Sequence, residues 1–117
     1  MPPDDQDPPA KLEEAFDLST PKPLDWEVAR IRREVRKGNY LVSPHAFTRA
    51  QQRGINPREI RRIILDGEAV SKDIPGNPHN RKPGINFEGT LDDGRRFRIK
   101  VSWHRGYVVV TVHEVGA

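Results

Sequence analysis

Apolar positions follow two rhythms along the chain, a helical one up to residue 67 and an alternating one beyond it. Val28, Ile31 and Val35 form one apolar stripe, with Asp25 as its N-cap and Gly38 as the stop after Lys37, which predicts a first helix. Tyr40-Leu41-Val42 reads as a short strand. Ser43 then caps a second helix with Pro44 at its first position and Gly54 at its end. A third helix has the fullest set of markers. Asn56 caps it, Pro57 occupies the first turn, Glu59 completes a capping box, Ile60, Ile63 and Ile64 face inward, and Gly67 ends it.

Strand patterns follow. Ala69–Ile74 is a strand, 75–83 is a loop with three prolines, and Ile85, Phe87, Gly89 and Leu91 alternate with polar residues. Asp92-Asp93-Gly94 reads as a three-residue hairpin loop. Phe97, Ile99, Val101 and Trp103 alternate with Arg96, Arg98, Lys100 and Ser102; Arg105-Gly106 turns the chain, and Tyr107–Val115 is the last strand. Helices first and an antiparallel meander afterwards predict an α+β domain with helices on one sheet face.

Placing apolar residues on a shared face fixes the strand register. Leu91 then pairs with Arg95, Gly89 with Phe97, Phe87 with Ile99 and Ile85 with Val101. On the other side Trp103 pairs with Val108, Val101 with Val110 and Ile99 with Val112. The opposite face follows: Arg98 lies between Glu88 and His113, and Lys100 between Asn86 and Thr111. A face holding Arg96, Arg98, Lys100, His113 and Glu88 is either a solvated back or a functional floor.

The second helix favours function. His45, Arg49 and Arg53 are spaced i, i+4, i+8 and form one ridge with no interleaved acid, which an anion would stabilise. A rival reading is a helix-turn-helix, with Ala50, Gly54 and Ile60 in its packing positions and Arg58, Arg61 and Arg62 reading DNA. That arrangement would bury Arg49 and Arg53 without acids, at high electrostatic cost, so it ranks second.

Composition adds to this. No cysteine is present, which excludes a disulfide framework and thiolate metal sites and suits a reducing compartment. No apolar run reaches the roughly 18 residues of a membrane span, and Met1-Pro2-Pro3-Asp4-Asp5 does not resemble a signal peptide, so a cytoplasmic protein without membrane contact is expected. Residues 1–24 carry six acids against Lys11 and Lys22, net −4, whereas residues 25–117 carry 18 Lys and Arg against 11 acids, net +7. The chain therefore divides into an acidic, Pro-rich arm over 1–24, expected to be disordered, and a basic domain over 25–117. A basic domain attracts polyanions, and a tethered acidic arm would compete with them.

The run His45-Ala46-Phe47-Thr48-Arg49, Arg53-Gly54-Ile55, Glu59-Ile60 and Gly67-Glu68, with Asp93-Gly94-Arg95 and Val110-Thr111-Val112, resembles a family of small bacterial proteins with a His-Ala-x-x-Arg-x-x-x-Arg-Gly-Ile signature. That family looks like a branch of the barnase–EndoU–colicin–RelE superfamily of metal-independent ribonuclease toxins. The resemblance covers roughly residues 40–115. It implies two to three N-terminal helices packed on a four-stranded antiparallel sheet, cleavage of RNA, and a protein antitoxin as partner. Where such proteins often carry histidine after the Asp-Gly turn, this chain has Arg98; where the last strand often ends in tyrosine, it has His113.

Metal-free RNA cleavage needs a base for the 2′-hydroxyl, an acid for the leaving 5′-oxygen, and cations for the phosphorane. Imidazole suits either proton role near neutrality, and Arg or Lys donors suit the developing charge. His45 and His113 are therefore the proton-transfer candidates, and Arg49, Arg53, Arg98 and Lys100 the phosphate ligands, with no cofactor and no metal. His79 and His104 are expected to be exposed, Trp26 and Trp103 to lie in the core, and Tyr107 to point to the basic face. The non-enzymatic alternative is a nucleic-acid-binding module that has no catalysis.

Overall fold

Ser43 and Asn56 begin their helices as the capping pattern predicts: the Ser43 hydroxyl accepts from the Ala46 amide at 3.1 Å, and Asn56 and Glu59 exchange reciprocal bonds at 2.9 and 3.0 Å. The protein is described here from a computed structural model, in which residues 16–74, 82–103 and 106–116 are described. The described residues form α1 (Asp25–Arg36), β1 (Leu41–Val42), α2 (Pro44–Arg53), α3 (Pro57–Asp66), β2 (Glu68–Asp73), β3 (Gly84–Thr90), β4 (Arg96–Ser102) and β5 (Val108–Val115). Asp25 is the first helical residue of α1 rather than its cap. Leu24 holds the cap position, and its amide is satisfied by the Glu27 carboxylate at 3.0 Å.

The α+β class is as expected, but the sheet has five strands in the order β1-β5-β4-β3-β2, and β1 runs parallel to β5. Four antiparallel strands are thus a correct account of β2 to β5 and an incomplete one of the sheet. The sequence pattern marks Tyr40–Val42 as a strand without giving it a neighbour. Its place comes from the Leu41 and Ser43 amides, which bond to the Tyr107 and Val109 carbonyls at 3.0 and 2.9 Å.

Register matches the alternation through most of the sheet. Gly89 faces Phe97, Phe87 faces Ile99, Ile85 faces Val101, and Ile99 faces Val112. Beyond Lys100↔Thr111 it slips, so that Val101 faces Val109 and Ser102 faces Val108. The expected pairs Val101–Val110 and Trp103–Val108 are therefore off by one. Val110 is the extra residue of a β-bulge, which re-aims the side chain at that point.

Ile31, Val35, Ile60, Ile63, Ile64, Phe87, Phe97, Ile99, Val101 and Val109 form the core beneath α1 and α3. Gly67 lets α3 close onto β3, because a Cβ there would run into the carbonyl oxygens of Glu88 and Ile63. Two arginines finish helices by binding orphaned carbonyls. Arg32 donates to Ile64 and Gly67 at 2.9 and 2.5 Å, and Arg95 forks onto the Arg53 and Gly54 carbonyls.

Phe16–Leu24, assigned by composition to the arm, are seated on the domain. Phe16 is buried and stacks on Trp103 with ring centroids 4.1 Å apart. The Lys72 ammonium bonds to the Glu27 carboxylate at 2.9 Å and to the Asp17 carbonyl at 2.7 Å, and its amide donates to Pro21 at 3.1 Å. Trp103 is a core residue as expected. Trp26 is not: it is 43% exposed at the edge of Phe16, with Arg30 over its ring. Tyr107 does not reach the basic face; it is buried, and burial pushes its phenol up to about 12. His79 and His104, like residues 1–15, lie outside the described residues. Among the described residues no helix is long and apolar enough to cross a membrane.

Candidate functional site

Ala46 and Ala50 are the buried positions of α2, so the small side chains let this helix lie close against β5. That orientation leaves the ridge one position away on the flank beside the polar face. Arg53 is followed by Gly54, whose left-handed backbone (φ 68°) ends the helix, and Arg95 clamps that end by its two carbonyl bonds.

His45, Arg49, Arg53, Thr111, Val112 and His113 line one pocket of about 210 Å³. A second pocket of about 400 Å³ is lined by Ser43, Pro44, His45, Lys82, Lys100, Val110 and Thr111. His45 and Thr111 belong to both, so the two pockets adjoin. The structure thus brings four of the six sequence-derived residues, His45, Arg49, Arg53 and His113, into one cavity and places Lys100 in the next. Arg98 lines neither, although it sits directly across the strands from His113.

The cations differ in how they are held. Arg98 binds Glu88 at 2.7 Å through Nε, with its terminal nitrogen at 2.6 Å, and Arg96 binds the other carboxylate oxygen at 3.1 Å. Burial works to raise the Glu88 carboxyl, but hydrogen bonds and charge from Arg98 and Arg96 outweigh it and hold it below its ordinary value. Glu88 is therefore an anion at neutral pH. Lys100 passes its alkyl stem over Gly84 and reaches Asp73 at 3.0 Å. Asp73 also accepts from Asn86 at 3.2 Å. Arg49 and Arg53 have no salt bridge among the described residues, and these are the cations free to meet an anion.

Glu88 and Asp73 organise the polar face and were not singled out from the sequence as site residues. The register that set Glu88 beside Arg98 already carried that information. Val110 and Lys82 were missed as well, Val110 because a bulge turns it, Lys82 because it lies in a loop with no pattern. The helix-turn-helix reading sets α2 against α3; in the structure α2 packs mainly on β5, and α3 mainly on β3 and α1. Arg62 is 3.4 Å from Asp92, and Arg61 donates to the Arg36 carbonyl at 3.4 Å, so two of the three proposed DNA readers have contacts within the domain. Among the described residues no three His, Asp or Glu side chains gather as a metal site. No protein-family model matches the chain, and neither a curated protein nor a solved structure matches it.

Proposed function

We propose that the protein is a metal-independent endoribonuclease of toxin type, acting on RNA through the 2′-hydroxyl and neutralised by a protein antitoxin. The observation that carries the reading is the pocket in which two histidines from different elements, His45 on α2 and His113 on β5, meet two arginines that have no salt bridge among the described residues. One imidazole takes the 2′-hydroxyl proton as the 2′-oxygen attacks phosphorus. The other protonates the 5′-oxygen as its bond to phosphorus breaks, leaving a 2′,3′-cyclic phosphate and a 5′-hydroxyl. Arg49 and Arg53 hold the equatorial oxygens, where positive charge acts most strongly on the developing phosphorane. Arg98 and Lys100 lie one strand further in and join only by dividing their donors between their carboxylate partners and the phosphate. The antitoxin rests on the sequence resemblance alone.

Incubation of the purified protein with total RNA and with DNA, with and without EDTA, tests the reading. Cleavage of RNA alone, insensitive to EDTA and ending in cyclic phosphate, is the expected result. Salt-dependent binding with no product on a denaturing gel would instead make the domain a binding module, a reading favoured by the engagement of Arg98 and Lys100 with acids.

A further inference from the structure

The bulge in β5 puts an apolar surface where the alternation would have none. Lys100 faces Thr111 and Val101 faces Val109, which leaves Val110 unpaired between them. Val110 does not join the core. It lines the 400 Å³ pocket together with Ser43, Pro44, His45, Lys82, Lys100 and Thr111. A purely solvated face has no use for such a patch, and the volume falls in the roughly 300–1,000 Å³ range of small-molecule sites. An apolar patch of Pro44 and Val110 among polar groups suits a flat, uncharged, heteroaromatic ring. The Ser43 hydroxyl accepts from the Ala46 amide, so its own proton is available to a ligand.

The adjoining pocket is cationic, and the two share only His45 and Thr111. We infer that the Pro44–Val110 pocket is a nucleobase subsite, so that the minimal ligand is one nucleotide with its phosphate on Arg49 and Arg53, its sugar across His45 and Thr111, and its base against Val110. This rests on the cationic pocket being a phosphate site. A base lodged there cannot remain paired, so the substrate class is single-stranded RNA, whose unstacked bases can be splayed outward. Recognition is by shape and apolar contact, and Lys82 and Lys100 add attraction to the neighbouring backbone.

The test compares the full chain's affinity for inorganic phosphate, glycerol phosphate and adenosine 3′-monophosphate, with amide chemical shifts recorded in each titration. The nucleotide is expected to bind roughly ten-fold more tightly than glycerol phosphate, with base-dependent shifts at Ser43, Val110 and Thr111. Val110→Trp fills the pocket and should abolish the ratio without altering phosphate affinity. Equal affinities for the nucleotide and glycerol phosphate, or an unchanged ratio in Val110→Trp, overturn the subsite alone. Should that variant not fold, the amide shifts of the native protein decide: base-dependent shifts confined to other residues also overturn it. No affinity for any of the three anions removes the phosphate reading and the subsite with it. A protein that keeps the ratio but does not cut RNA upholds the subsite and removes only the catalytic step.

Discussion

Lys72 and Glu27, 45 residues apart in the chain, meet at 2.9 Å with both side chains wholly buried. The carboxylate also accepts the Asp17 and Leu24 amides at 2.8 and 3.0 Å, so its charge is dispersed over three donors. Removing the ammonium leaves a buried anion short of a counter-charge. Lys72→Met should therefore cost about 3–5 kcal/mol, a large share of the roughly 5–15 kcal/mol of a small domain. Denaturant titration reads it, and adding Glu27→Gln to Lys72→Met should restore part of the loss. A single variant within about 1 kcal/mol of wild type would contradict the account.

The same contacts locate the domain's edge. A chain that starts at Asp25 lacks Phe16, the Asp17 carbonyl and the Pro21 carbonyl, and it should unfold at markedly lower temperature. Screening of the cleft by the acidic arm is accordingly tested by deleting residues 1–15, which retains Phe16 and the Lys72 contacts. That deletion should raise affinity for random RNA at low salt, and the gain should shrink as salt screens it. Equal binding curves at both salts would remove the idea.

His45→Ala and Arg49→Ala should abolish RNA cleavage and leave stability within about 1 kcal/mol, because neither side chain has a structural partner among the described residues. A gel assay beside a thermal melt separates the two effects. Loss of fold in either variant would make the ridge structural.

Phosphate ligation should register in the salt dependence of binding. Arg49→Ala and Arg53→Ala should each lower the slope by about one unit. Arg98→Ala and Lys100→Ala should lower it by less, because Glu88 and Asp73 already neutralise part of their charge. Equal effects at all four positions would show that the carboxylates release their cations on binding.

Glu88 gives the fold an acid sensitivity of known sign. Its folded pKa lies below the ordinary 4.5, so its contribution is full above that value and disappears as pH falls through the lower, folded one. Glu88→Gln should cost about 1 kcal/mol at neutral pH, since Arg96 and Arg98 are half exposed and screened by water. In acid the variant and wild type should converge. Denaturant midpoints measured across that range test it, and a constant gap would refute it.

Features fixed by nearby residues were legible in the sequence. Ser43, Asn56 and Gly54 mark the helix ends unambiguously, and the i, i+4, i+8 ridge of α2 stands where its period puts it. The register failed at Val108-Val109-Val110, three successive valines with no polar residue to declare a face, so the bulge left no trace. The Lys72–Glu27 pair was hidden because isolated charges read as exposed. Phe16 stood out as an apolar residue of the arm that could dock, but its proline-rich neighbours gave no pattern to say where. At the site, His113 fell correctly opposite Arg98, on the regular side of the bulge. The register set Glu88 beside Arg98; what it could not tell was that Asp73 would occupy Lys100.

Phe16 and Trp103, stacked at 4.1 Å, close a loop that spans almost the whole described chain. Loop-closure entropy rises only slowly with length, so this contact is affordable at equilibrium. Its effect falls on timing. During synthesis Phe16 emerges early and waits, with its ring in water, until β4 has been made. The apolar surface it covers cannot be sealed one element at a time, and such long-range closures slow folding. Completion of the domain is therefore a late, concerted event, and until then Phe16 and Trp103 are two ends of one unfinished seam.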